Sequence, residues 1–282
     1  MKPLIQIIAE IARIPSFSSY EERIHPYIIN KTDGIKQCNV EIINERNIVA
    51  HVPGDTARQP VALTAHLDKI NHFGKIPPDE LPVKEGLSFL KGQLDNSVGL
   101  GIILRLAQLA EYHSWPPLYL LMSEMEESYG LKHHPELLRN QGKELYHGMG
   151  ADKISDYLIN NNISLQSAIT VDTTPIFRGE RGVALYSGHW KFTKQEPGNQ
   201  EKAATKRMAE QFHKIDPDVL LSNNTNDYLT YGKRLNAAAG KPIPSIAIEP
   251  AIYPYHQKGE QVYYSDIERV YEILKSYLSK YA

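Results

Sequence analysis

The sequence predicts an α/β fold: a mixed, mostly parallel central sheet with helices on both faces, in a single domain spanning residues 1–282. Three observations lead there. Short apolar strand runs alternate with segments of helical periodicity along the chain. Residues 118–122 are continuously apolar, as in a strand covered on both faces. No internal repeat, low-complexity tract or composition break divides the 282 residues.

Residues 3–14 carry their apolar side chains with helical spacing, interrupted by Gln6 and Glu10, and stop at Pro15. Helical spacing resumes over 21–29. Strand-like runs follow at 40–43, 47–52 and 61–66, with Pro53 and Gly54 turning the chain between the last two. Pro77, Pro78, Pro82 and Gly86 mark the stretch from about 69 to 94 as a surface excursion rather than a separate domain. A helix is expected over 99–112, strands at 118–122, 168–171, 182–186 and 243–248, and helices at 201–213 and 227–239. Ser265 and Glu268 have the spacing of a capping box, so a last helix should run from there almost to residue 282.

A formal net charge of -2 and a pI near 6.6 provide no basic field for nucleic acid or an anionic membrane. The cationic stretch 202–207 reads as the wet side of a helix. No apolar run reaches the roughly 20 residues of a membrane span, and the N-terminal segment lacks a signal-peptide core, so the expected location is cytoplasmic. The single cysteine, Cys38, excludes an intramolecular disulfide and reads as a small half-buried residue.

Against this ordinary background, five residues of metal-ligand type occur in strand-end settings: His66, Asp95, Glu127, Asp172 and His256. Ligands of helix-covered sheets collect at the carboxyl ends of strands, so folding should bring these groups to one edge. Three carboxylates and two imidazoles suit a pair of divalent cations, with Zn2+ the default and Co2+ or Mn2+ able to fill the same cage. Without cations the three carboxylates should repel one another and titrate high. Each residue alone has a bland reading, as a hydrogen-bonded histidine, a solvated acid or a helix cap. Their joint occurrence points to metal-assisted hydrolysis. The adjacent pair His133 and His134, beside Pro135, reads as a solvent-exposed loop.

These residues, with Ile14-Pro15-Ser16-Phe17-Ser18, Glu21-Glu22 and Arg46-Asn47-Ile48-Val49-Ala50, resemble the co-catalytic zinc peptidase clan. The nearest member is the glutamyl aminopeptidase and endoglucanase-like family. The resemblance implies that His66 and Asp172 bind one metal, that Glu127 and His256 bind the other, and that Asp95 bridges them. Asp68 would orient His66, and Glu126 would be the general base. Glu260 and Asp266 stand where that family places acidic residues. Two departures bear on substrate preference: Asn224-Thr225-Asn226-Asp227 only approximates a Thr-Asp motif, and Tyr253 replaces an arginine usual before the last histidine.

The implied activity is an aminopeptidase acting on a peptide or small amide. The alternatives are a carboxypeptidase or N-acyl amino acid deacylase, which would need a cation such as Arg178 or Arg181 for a free carboxylate, and a non-catalytic relic binding protein. The family's large inserted domain has only residues 69–94 in its place here. The expectation that follows is a monomer or dimer rather than a dodecamer. The stretch 130–165 is longer than the fold requires and is a candidate for shaping the cleft.

Overall fold

The computed structural model describes residues 2–139, 145–192 and 196–282; residues 140–144, within the long 130–165 stretch, lie outside them. Helix α1 (Lys2–Arg13), helix α2 (His25–Asp33) and strands β1 (Asn39–Ile43), β2 (Asn47–Val52) and β3 (Val61–His66) open the fold. Strands β4 (Lys84–Glu85) and β5 (Phe89–Gly92) follow, then α3 (Ser97–Ala110), β6 (Leu118–Ser123) and α4 (Ser128–His133). The middle of the chain forms α5 (Met149–Asn160), β7 (Ser167–Val171), β8 (Val183–Tyr186), α6 (Asn199–Ile215) and β9 (Leu220–Ser222). Helix α7 (Asp227–Ala238), β10 (Ser245–Pro250), β11 (Glu260–Tyr263) and α8 (Tyr264–Lys280) complete it.

Among the described residues, eight strands form the central sheet in the order β1-β2-β6-β3-β7-β10-β8-β9. The four strands β6, β3, β7 and β10 run parallel, with His66 level with Ser123 and Val171 level with Ile248. Their carboxyl ends therefore share one edge. From β3 the chain moves to β6 on one side and then to β7 on the other, which makes the end of β3 the switch point where such sheets open a crevice.

Side chains alternate along the strands, and each set buries against its own helices. Ile48, Leu63, Leu120 and Ile248 pack with α1, α3, α6 and α8. Val49, Ala62 and Leu121 pack on the other face with α5 and α7, through Ile154, Leu158, Tyr231 and Leu235. The predicted α/β class, with helices on both faces of a mixed, mostly parallel sheet, is the observed one.

Two local expectations differ from the structure. The second half of the 69–94 excursion is ordered as a small sheet, β11-β5-β4, in which Gly92 lies opposite Glu260. The last helix does not use Ser265 as its cap. It leaves β11 directly, with extended Tyr263 as N-cap, while the Ser265 hydroxyl donates to Asp266 Oδ1 inside the first turn at 3.2 Å.

Candidate metal centre

Strand ends deliver most of the cluster. His66 closes β3, Asp172 directly follows β7, and Glu126 and Glu127 come three and four residues after the end of β6. Just before Glu126, Met125 adopts a left-handed φ of 53°, held by its N–H donating to Glu21 Oε1 at 3.2 Å.

Asp95 sits just before α3, and Asn96 caps that helix by accepting from Gly99 N at 2.8 Å. The Asn96 amide also donates to Val171 O at 2.8 Å, tying the Asp95 turn to the strand that carries Asp172. Gly99 permits this approach, since a Cβ there would lie 2.1 Å from Val171 O. Glu260 supports the same turn from β11, accepting from the N–H groups of Leu94 and Asp95 at 2.8 and 3.1 Å. His256 arrives on the loop after β10.

The two oxygens of Asp95 face different imidazoles. Oδ1 is 3.2 Å from His66 Nε2, and Oδ2 is 3.5 Å from His256 Nε2. Asp172 Oδ1 stands 3.5 Å from His66 Nε2, whereas Glu127 Oε2 stands 3.2 Å from His256 Nε2. Glu126 Oε2 is farther away, 3.9 Å from His66 Nε2. These spacings suit ligands of a common ion: corners of a tetrahedron about 2.0 Å from its centre lie roughly 3.3 Å apart.

Behind the cluster, Asp68 orders four partners at once. Its Oδ1 lies 3.3 Å from His66 Nδ1, and its carboxylate accepts from Glu126 N at 3.0 Å, Glu127 N at 3.2 Å and Ser18 Oγ at 2.7 Å. His147 Nδ1 contacts the Glu126 carbonyl oxygen.

The electrostatics call for added positive charge. Every ion pair that Asp95, Glu126, Glu127 and Asp172 make among the described residues is with His66 or His256. Burial, reinforced by neighbouring carboxylates, pushes Glu126 and Glu127 well above the usual range. Burial and Asp95 push Asp172 up to about 6. Asp95 departs from the expectation that all three carboxylates titrate high. Burial would raise it, but hydrogen bonding to His256 and His66 holds it far below the usual range. Burial likewise opposes protonation of His66, and hydrogen bonds to Asp172, Asp68 and Asp95 override it and raise this imidazole well above its ordinary value.

The residues present fit a metal. His66, Asp95 and Glu127 are buried and place ligand atoms within 4.8 Å of one another, a group that could hold an ion. Glu127 Oε1 is buried without a hydrogen-bond partner, which is costly in a low-dielectric site unless something else satisfies it.

His256 is the most open member, its side chain 20 % exposed against 3 % for His66, so the cluster is approached from its side. A cleft of about 680 Å³ adjoins it, walled by His72, Phe73, Lys75, Tyr129, His134 and Lys258. Tyr129 meets His256 edge-on at 5.7 Å and stacks on His133 at 4.1 Å. Burial, with His134, His256 and Lys258 nearby, pushes His72 down to about 4.

All seven residues singled out in the sequence thus lie in one cluster. Sequence reasoning missed Tyr129, His147 and the cleft lysines, which sit in loops or a short helix without a local pattern. Arg181 lies over the Tyr263 ring at 4.9 Å, and neither it nor Arg178 lines the cleft. Asp227, from the approximate Thr-Asp motif, is buried and accepts from Ser123 Oγ at 2.5 Å. Tyr253 is exposed.

No protein-family model and no curated protein matches the sequence. Solved structures do match in shape. The TET1 peptidase of Pyrococcus horikoshii is 11 % identical, with a TM-score of 0.66 over 98 % of this chain and 99 % of that one. A TET aminopeptidase from Thaumarchaeota archaeon SCGC AB-539-E09 is 9 % identical, with a TM-score of 0.71 over 99 % and 97 %. Aminopeptidase PepT of Bacillus cereus is 12 % identical, with a TM-score of 0.66 over 99 % and 98 %. Identities this low establish a shared fold.

They also correct the expected assembly. A PhTET1 structure is a dodecamer, and TET1 is described as forming a tetrahedron or a large octahedral shell. Chains of this fold, matched over nearly their full length, thus build large particles. The step from a missing insertion to a monomer or dimer in place of a dodecamer does not hold, because a short excursion at 69–94 says nothing about the other surfaces that can join subunits.

Proposed function

We propose that this protein is a two-metal exopeptidase, an aminopeptidase that removes N-terminal residues from peptides. What carries the reading is the position of Asp95, one oxygen toward His66 and the other toward His256. In this reading His66 and Asp172 hold one cation, Glu127 and His256 the other, and Asp95 both. Zn2+ is the proposed metal, from the mixed nitrogen and oxygen donors. The fold shared with TET aminopeptidase and PepT supports the same assignment.

Divalent cations in such a cage supply Lewis acidity, polarising a substrate carbonyl and acidifying water to near neutral pH. The rest falls to the chain's own groups. Glu126 is buried, set back from His66, and in this scheme its carboxylate takes a proton from the attacking water and returns it to the leaving amine. Burial favours the protonated state it reaches midway. Asp68 acts as a positioning residue, fixing the His66 ring and the backbone on which Glu126 and Glu127 ride. The exposed side at His256 admits the peptide.

Two variants test this. Glu126→Gln should keep its metal and lose roughly 10²–10⁴ of kcat, whereas His66→Ala should lose the metal itself, as read by metal analysis of the purified proteins. Near wild-type turnover in Glu126→Gln would remove that residue from its role. Amino-acid anilides against N-acyl amino acids separate the aminopeptidase from the deacylase alternative.

A further inference from the structure

We propose that the cleft beside His256 is a carboxylate-binding subsite, in which Lys258 and Lys75 receive a carboxylate of the peptide substrate. The inference rests on the peptidase reading and adds a substrate class to it: short peptides carrying a free C-terminal carboxylate.

The cleft and the cluster have opposite polarity. The cluster gathers four carboxylates, Asp95, Glu126, Glu127 and Asp172, around two imidazoles. The cleft next to it has, among the described residues, two lysines on its walls and a single acid, Glu136. Glu136 is already turned to His134, 3.6 Å from Nδ1, with a side chain 59 % exposed.

Neither lysine forms an ion pair with a carboxylate among the described residues. Lys258 rests its ammonium over the Phe73 ring, 4.9 Å from the centroid, a placement that keeps the charge at the cleft without neutralising it. Phe73 and Tyr129 add apolar walls. A ligand complementary to this arrangement carries negative charge at the cleft end, and a short peptide is small enough for a volume of about 680 Å³.

The second wall of the same ridge is cationic too. Lys84, Lys91 and Lys258 line a neighbouring cleft of about 470 Å³ over β5 and β11. Lys258 thus stands where both clefts meet, which makes it the residue to change first.

The experiment uses metal-loaded full-length Glu126→Gln protein and the same protein carrying Lys75→Gln and Lys258→Gln. Both lysines are exposed, so the substitutions leave the core intact. Calorimetry compares Ala-Ala-Ala, its C-terminal amide, and Glu-Ala-Ala amide. The expected result is about tenfold tighter binding of Ala-Ala-Ala over its amide, with that ratio falling toward one in the lysine variant. A lysine-dependent gain for the glutamyl amide and none for Ala-Ala-Ala would assign the lysines to an acidic side chain and overturn the C-terminal subsite. Equal binding of all three, or a gain that survives loss of both lysines, overturns the subsite. Peptide cleavage by the unsubstituted enzyme is followed in parallel. Lysine-dependent binding without any cleavage sinks the peptidase reading and leaves the subsite standing.

Discussion

At the scale of the residue, Asp68 shows how one buried acid sets the geometry of its neighbours. Burial would raise its pKa, but hydrogen bonding and charge interaction with His66, helped by the Ser18 hydroxyl and Glu126 N–H, hold it below the usual range. Asp68→Asn keeps the shape but replaces an acceptor by a donor toward His66 Nδ1 or toward the N–H groups of Glu126 and Glu127. The expected outcome is a 10–100-fold loss of metal affinity, measured by competition with a chromogenic chelator. Unchanged affinity would reduce Asp68 to a fold residue. His66, Glu126, Glu127 and Asp172 were legible in the sequence because each stands at or near the end of an apolar run, where side-chain type and position reinforce one another, while Asp95 and His256 were legible through the ordered pattern they complete. Glu260 was visible only as an acid, since its contact with the Asp95 N–H needs a partner 165 residues away. Cys38, half-buried with its thiol pushed up to about 11 by burial and Asp33, matches its bland reading.

Among the elements, the strongly patterned ones were readable and the marginal ones were not. Strands β2 and β3 have the boundaries that apolar runs and the Pro53-Gly54 turn dictate. Helix α5 was missed because Gly150, Ser155, Asp156 and Asn160 are weak helix formers. Its apolar residues Ala151, Ile154 and Leu158 are nevertheless buried against the sheet. Strands β4, β5 and β11 are two to four residues long. They exist through pairing between distant segments, which leaves no local signature.

Helices α6 and α8 are joined by a two-point contact. Arg269 Nε and Nη2 donate to the two oxygens of Asp216, the C-cap of α6, at 2.5 and 2.7 Å. The arginine's hydrogen bonds hold the Asp216 carboxyl below its ordinary range. A depressed carboxyl contributes stability above its unfolded pKa of about 3.9 and loses it as pH falls through the folded value. Asp216→Asn should therefore cost about 1 kcal/mol near neutral pH, a deficit that shrinks in urea titrations below about pH 4. An equal deficit at pH 3 and pH 7 would contradict the charge-based account.

For the whole molecule, the cluster sets buried carboxylates at the edge of the eight-stranded sheet, a cost to folding that cations would relieve in the proposed reading. Glu126, Glu127 and Asp172 are all 8 % exposed or less and titrate above their usual range. Ligand that binds only the folded chain adds about 2.7 kcal/mol at a hundredfold excess over Kd, or roughly 5–10 °C in Tm for a chain of this size. Stripping with a chelator should lower Tm by that order and zinc should restore it. A melting curve indifferent to both would argue against any cation in the site. Among the described residues no helix is long and apolar enough to cross a membrane.

The pairing of β5 with β11 also has a consequence in time. It couples the turn before Asp95 to the segment that delivers His256, so the cage stays open on one side until the stretch carrying His256 has left the ribosome. Nascent chains stalled before residue 256 should capture at most one ion. Filling of the two positions would then be ordered in time by the direction of synthesis.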